Sequence, residues 1–331
     1  MLTRHLLDSR AWAPWSERAL GTLERAAGAA WANPLHPSSE GRRAAIWLES
    51  MEATVAQLFG GGRVAFFHDR DAALRHVLAG LPGSRVMTAG TNRQSILGLA
   101  DVVCPVDEFG NADWSDADVV ILQYGNEETG VIDHFGGTAI RILDATNALG
   151  RVRIDASWDY LIGSARSWGA PVDVAFVVAV RPLDPHPVPA LPLIAVAVHE
   201  LELQWPLVPA RAEAMAVAMQ AFEDDVRARI PDVQFHGRQP LPHIRSLSAL
   251  HLDAETLMRA LDEAGYVVGS GSACVRDGTP SHVLAAMGVV THGNIRVALP
   301  VDIDLDVVPG FASVLRDTVT RLRREAGVAD L

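Results

Sequence analysis

The sequence predicts an α/β fold with a mostly parallel sheet, and three observations carry that reading. Strand-like and helix-like segments alternate from about residue 64 to residue 180, the pattern of a sheet covered on both faces. The run from Asp118 to Leu122 is continuously apolar after its first residue, as a parallel strand buried on both faces must be. The chain has 331 residues, 49% of them hydrophobic, enough to bury one large domain and a smaller one. The predicted large α/β domain spans 15–205, and residues 1–14 with 206–331 form a smaller α+β domain.

The elements follow in order. Residues 15–31 are rich in Ala, Leu, Glu and Arg and predict a helix that Asn33-Pro34 ends. A second, longer helix follows, with Ala44, Leu48, Met51, Val55 and Leu58 as its apolar face, and Gly60-Gly61-Gly62 stops it. Val64 to Phe67 is a strand, and the carboxylate of Asp69 is placed to cap the helix after it. Arg85 to Thr88, the apolar run around Cys104, Asp118 to Leu122 and Ile142 to Asp144 are further strands. Arg181 to Leu193 is a Pro-rich segment, and Pro209 to Arg229 one amphipathic helix. Leu247 to Leu252 is a strand, and Asp253 opens the helix that runs to Gly265.

The stretch Gly265 to Pro300 carries the chemistry. After Tyr266-Val267-Val268 come five small residues, Gly269-Ser270-Gly271-Ser272-Ala273, and then Cys274. Gly and Ser at that density mean a loop where backbone freedom is needed and side chains are kept out of the way. Pro280-Ser281-His282 starts a short helix that Gly288 stops, and Asn294 to Leu299 is a strand bearing Arg296. A thiol on such a loop, followed by a cation on a buried strand, suits a nucleophile beside an anion-binding group. The plain alternative is that Cys274 is a small buried hydrophobe. His282 and His292 read as helix-start and loop residues, and no metal-ligand spacing occurs.

Composition excludes several partners. A net charge of −12 argues against nucleic acid or an anionic membrane surface. No apolar run reads as a membrane span, the N-terminus lacks a signal-peptide core, and two unpatterned cysteines suit a reducing compartment, so a cytoplasmic protein is expected. All 28 basic residues are arginine. A guanidinium stays protonated and is no amine nucleophile, so this chain has no side-chain amine with which to form a Schiff base.

The segments GSGSAC, PSHVLAAMG and IRVAL, in that order and spacing, resemble the signature of the cysteine desulfurases, pyridoxal-phosphate proteins of the class V aminotransferase group. The resemblance runs over nearly the whole chain. It implies the fold type I architecture of pyridoxal-phosphate enzymes, normally a homodimer. It makes Cys274 the persulfide-forming cysteine, Arg296 the substrate-carboxylate arginine and Asn126 a substrate-binding position. It also exposes departures. The Schiff-base lysine position holds Ser167, with Arg166 in place of the histidine before it. The ring-stacking histidine position holds Arg93, and the phosphate-binding turn carries Asp69 and Asp71. The asparagine expected on the ring oxygen is Glu127, and Asn147 stands where a glutamine is usual. The loop that reaches the neighbouring subunit's phosphate has no counterpart. Asp144 still fits the aspartate that pairs with the pyridinium nitrogen.

These readings lead to no bound cofactor, or pyridoxal phosphate held weakly and non-covalently. The expected function is a desulfurase-like protein without Schiff-base chemistry, relaying sulfur as a persulfide on Cys274 or supporting a partner. The alternatives are an active desulfurase using non-covalent cofactor, or a thiol-dependent enzyme with another substrate. Expected partners are a second copy or an active paralogue, and a sulfur-acceptor protein.

Overall fold

A computed structural model describes residues 4–8, 14–271 and 280–328. It opens with β1 (His5–Leu6), followed by α1 (Glu17–Ala29) and α2 (Ser39–Leu58). Ser16 and Ser38 cap these helices by accepting from Ala19 N and Gly41 N, each at 3.1 Å. The large sheet is then laid down by β2 (Arg63–Phe67), α3 (Arg70–Ala79), β3 (Val86–Ala89), α4 (Gln94–Leu97) and β4 (Val102–Cys104). It is completed by β5 (Val119–Gln123), β6 (Ile140–Asp144), β7 (Tyr160–Ser164) and β8 (Ala175–Ala179). Its strand order is β2-β8-β7-β6-β5-β3-β4; β8 runs antiparallel to both neighbours and the other pairings are parallel.

The sheet is covered on both faces, as expected, but fewer helices connect its strands than a regular alternation would give. The segments joining β4 to β5, β5 to β6 and β6 to β7 are turns and irregular chain. One face, with Phe66, Met87, Val120, Leu143, Leu161 and Phe176, packs on α1, on α2 and on α5 (Leu191–Gln204). The other, with Phe67, Ile121, Ile142 and Ile162, packs on α3 and α4. On α2 the face read from the sequence is the buried one: Ala44, Met51 and Val55 are buried, and Leu48 and Leu58 pack beside them.

Helix α5 departs from the sequence reading, which gave Arg181 to Leu193 only as a Pro-rich segment. Pro192 sits in the first turn, where its missing N–H costs nothing, and eight residues behind it are buried. Through a short 3₁₀ turn α5 runs into α6 (Val208–Arg229). The stretch Leu191–Arg229 is long and apolar enough to cross a membrane, contrary to the sequence expectation, but 56% of its most apolar window is buried inside the protein. Its apolarity is that of a core helix.

The smaller domain is a three-stranded antiparallel sheet of β9 (Val233–His236), β10 (Ile244–Ala249) and, introduced after α7 (Ala254–Glu263), β11 (Tyr266–Val267) and α8 (His282–Ala286), the strand β12 (Asn294–Ala298). The terminal helix α9 (Val307–Glu325) packs with α6 and α7 around Leu247, Ile295, Phe311 and Leu315. Residues 5–7 join this core. Strand β1 pairs parallel with β11, and Leu7 is fully buried.

Candidate functional site

Parallel strands converge their C-terminal ends on one edge of the sheet, where ligands of open α/β sheets bind. Here β5, β6 and β7 deliver Gln123, Asp144 and Ser164 to that edge, and β12 of the smaller domain brings Arg296. Two groups of charged residues result.

The first surrounds Asp144. The Arg93 guanidinium donates to Asp144 Oδ2 at 2.7 Å through Nη2 and to Asp71 through Nη1. Thr146 donates to Asp144 Oδ1 from both N (3.0 Å) and Oγ1 (2.5 Å). Burial opposes the charge of Asp144, but Arg93, Arg70 and the Thr146 hydrogen bonds outweigh it and hold the carboxyl below its usual range. Burial likewise disfavours the Arg93 cation, and Asp144 with Asp71 overcomes it and raises its pKa. Arg70 bridges to Glu127 at 3.2 Å and reaches Thr146 Oγ1 at 3.4 Å. The remaining positions are bound into the scaffold. Ser167 Oγ donates to Ser164 O at 2.9 Å, Asn147 Nδ2 to Gly125 O at 3.0 Å, and Arg166 holds both oxygens of Asp173 at 2.6 and 2.8 Å. Asp69 caps α3, accepting from Ala72 N at 2.7 Å.

This donor set does not suit pyridoxal phosphate. Both oxygens of Asp144 already accept hydrogen bonds, Oδ2 from Arg93 and Oδ1 from Thr146, so a pyridinium nitrogen would compete with one of them. The position resembling the Schiff-base lysine is a serine whose hydroxyl is already used, and the turn resembling the phosphate loop offers carboxylates.

The second group surrounds Arg296, buried to 2% exposure. Its Nη2 donates to Asp8 Oδ1 at 2.8 Å, while buried Nε and Nη1 have no partner among the described residues. Close by, Glu128 Oε2 accepts from Ser281 Oγ at 2.5 Å, and among the described residues buried Glu128 Oε1 has no partner. Burial pushes the Glu128 carboxyl up, against the opposing pull of Ser281, Arg296 and His282. The backbone of Gly269 pairs with Arg296 in both directions (3.0 and 2.7 Å). A Cβ at Gly269 would collide with Arg296 Nη2 and Asp8, and one at Gly271 with both oxygens of Glu128. Here the glycines of the loop are explained by close packing as well as by backbone freedom. Asn126 lies between the groups with its polar atoms engaged: Nδ2 donates to Thr91 O (2.8 Å) and Gln123 Oε1 (3.1 Å), and Oδ1 accepts from Glu128 N and Thr129 N.

Cys274 lies outside the described residues. Cys104 is buried in β4, as its apolar surroundings predicted. His282 opens α8 and its Nε2 lies 2.9 Å from Asn92 O; His292 is exposed. Among the described residues no group of His, Cys, Asp and Glu is placed to hold a metal ion. Sequence reasoning missed Asp8, Glu128 and Ser281 as members of the Arg296 group. It also read Arg93 as a replacement stacking residue, where the structure makes it a counter-ion. The available signal for that pairing was the simultaneous presence of Asp71, Arg93 and Asp144, each at or within four residues after the end of a strand.

No family model matches the chain. It is 23% identical to the cysteine desulfurase IscS 1 of Archaeoglobus fulgidus, over 88% of this chain and 92% of that protein. It is 25% identical to the putative cysteine desulfurase IscS 1 of Bacillus subtilis, over 97% of this chain and all of that one. Among solved structures, a NifS-like protein from Rickettsia africae superposes with a TM-score of 0.81 at 17% identity, covering 95% of this chain and 99% of that one.

Proposed function

From the premise that this chain is a divergent homologue of the IscS/NifS-like cysteine desulfurases, we propose that it works in sulfur transfer without pyridoxal-phosphate chemistry, as a persulfide relay on Cys274. The observation that carries this reading is the pairing of Arg93 with Asp144 in a chain that has no lysine. The cation that this family draws from its cofactor ring is supplied here by a side chain.

The step needs no cofactor and no oxidant. A donor protein's persulfide, R–S–SH, presents its outer sulfur to the Cys274 thiolate. A bond forms between the two sulfurs, the donor S–S bond breaks, and the donor leaves as its thiolate while the proton stays on the transferred sulfur. The reverse exchange hands that sulfur to an acceptor protein. Reactivity resides in the thiolate form, so a neighbouring cation aids the attack. The donor of this scheme is an active paralogue, met as a dimer partner or transiently.

The test is mass spectrometry of the purified, colourless protein after incubation with a persulfidated desulfurase. Cys274 gains the mass of one sulfur atom, the Cys274→Ala variant gains none, and Cys104 is unchanged. Sustained alanine formation from L-cysteine by the protein alone would instead establish an active desulfurase. Absence of sulfur on Cys274 would leave only a structural partner role.

A further inference from the structure

Beside the Arg93–Asp144 pair lies a cavity of about 270 Å³ that neither of those residues lines. Its walls come from both domains: the turn at His68 to Arg70, Thr146 and Asn147 after β6, Ser164 to Ser167 after β7, and His243 and Ala298 of the smaller domain. Arg151 reaches it from beneath. Arg151 is 3% exposed and donates only to backbone carbonyls, those of Leu299 (3.3 Å) and Ser167. Among the described residues no carboxylate pairs with it, and its Nη2 makes no hydrogen bond. The nearest charges compound this: Arg211 repels it and Asp302 offsets that only in part, so burial and repulsion bring its pKa down to about 10. Beside it in the lining is His243, 1% exposed, whose Nδ1 has no partner among the described residues.

A buried guanidinium without a counter-ion is costly, and native structures leave few buried polar atoms unpaired. The other lining cations are already matched, Arg70 to Glu127 and Arg166 to Asp173. Of the lining acids, Asp173 is held by Arg166, and Asp69 is exposed at the mouth, where water screens it. The unmatched positive charge is therefore at the floor of the cavity and the unmatched negative charge at its entrance. An aromatic ring cannot extend from the cavity onto Asp144, because Arg93 occupies that carboxylate.

We propose that this cavity binds a small non-aromatic oxyanion, a carboxylate or phosphate group, with Arg151 as its counter-ion and His243 and the Ser164 to Ser167 segment around it. The site is a use of the disagreement between these residues and pyridoxal phosphate, and it stands whether or not Cys274 carries sulfur.

Isothermal titration with inorganic phosphate and with acetate, against chloride at equal ionic strength, tests it. Saturable one-site binding by one or both anions is expected, and the tighter of the two names the group that the natural ligand bears. Arg151→Met should weaken that binding at least about tenfold, the loss of one buried charge partner. Because Arg151 also supports the backbone, Asp69→Asn provides a second arm. Asn caps a helix as well as Asp does, and removing the charge at the mouth should tighten binding about threefold with folding intact. Pyridoxal phosphate should compete only through its phosphate, so pyridoxal itself should not displace the bound anion. The proposal is overturned if neither anion binds saturably, if both variants bind as the parent does, or if pyridoxal alone competes.

Discussion

The Asp144 and Arg296 groups lie at the same edge of the sheet and have been treated oppositely. Around Asp144 the charges close on themselves: one arginine spans two carboxylates, two hydrogen bonds from Thr146 reinforce the inner one, and its carboxyl is held low. Around Arg296 the charges stay open: among the described residues two guanidinium nitrogens and one Glu128 oxygen are buried without partners, and the Glu128 carboxyl is held high. A nearly closed ion cluster has little demand left for a ligand: around Asp144 only Arg93 Nε is buried without a partner among the described residues. An open one keeps unpaired groups that a ligand or another segment must satisfy. The comparison separates two halves of the edge, one nearly closed around Asp144 and one open around Arg296, beside Gly269 and Gly271.

The largest expected effect tests the closed group. Arg93→Leu leaves Asp144 and Asp71 facing each other without their cation, one of them buried, and should cost about 3–5 kcal/mol in chemical denaturation. Arg93→Leu combined with Asp144→Leu should recover part of that loss, because no isolated charge then remains inside. A neutral Arg93→Leu variant would mean that the cluster is not closed by this pair.

A smaller effect tests how tightly the open group is packed. Gly271→Ala puts a methyl group against both oxygens of Glu128, and Gly269→Ala puts one against Arg296 and Asp8. Each should cost about 1–3 kcal/mol, the usual penalty of overpacking. If both variants are as stable as the parent, these glycines serve the mobility of the loop rather than its close approach, and the sequence reading of them is the better one.

How much of this was legible in the sequence depended on distance along the chain. Local signals were read well: Asp69 and Asp253 cap their helices, and α2 buries the face its periodicity marks. Helix α5 was missed because its first turn lies in the segment given only as Pro-rich, although Pro192 in a first turn is compatible with a helix. The Asp144 cluster was half legible, since the residues were singled out as departures but their mutual pairing was not. Arg296 with Asp8, 288 residues apart, and Glu128 with Ser281, 153 apart, left no trace in any window of sequence. Those contacts come from strand β1 and helix α8 being carried to the same edge by the smaller domain, which periodicity cannot report.

The finest test compares the pH dependence of the two carboxyls. Asp144 is held below its ordinary value, so folding gains from its charge above that value and loses the gain as pH falls. Asp144→Asn should therefore be less stable than the parent near neutrality and approach it in acid. Glu128 is raised, so between its ordinary and folded values the native protein holds a proton that the unfolded chain has released. Stability is lost as pH rises through that interval. Glu128→Gln keeps an acceptor for Ser281 and removes the charge, so it should be the more stable protein on the alkaline side of the interval and indistinguishable on the acid side. The gain should be on the order of 1 kcal/mol, limited by the Ser281 hydrogen bond and by Arg296, which already favour the charged form. Urea midpoints at several pH values read both variants, and opposite slopes are the expected result. Parallel slopes would mean that Arg296 and Glu128 form one matched pair after all, and the two groups would then be alike.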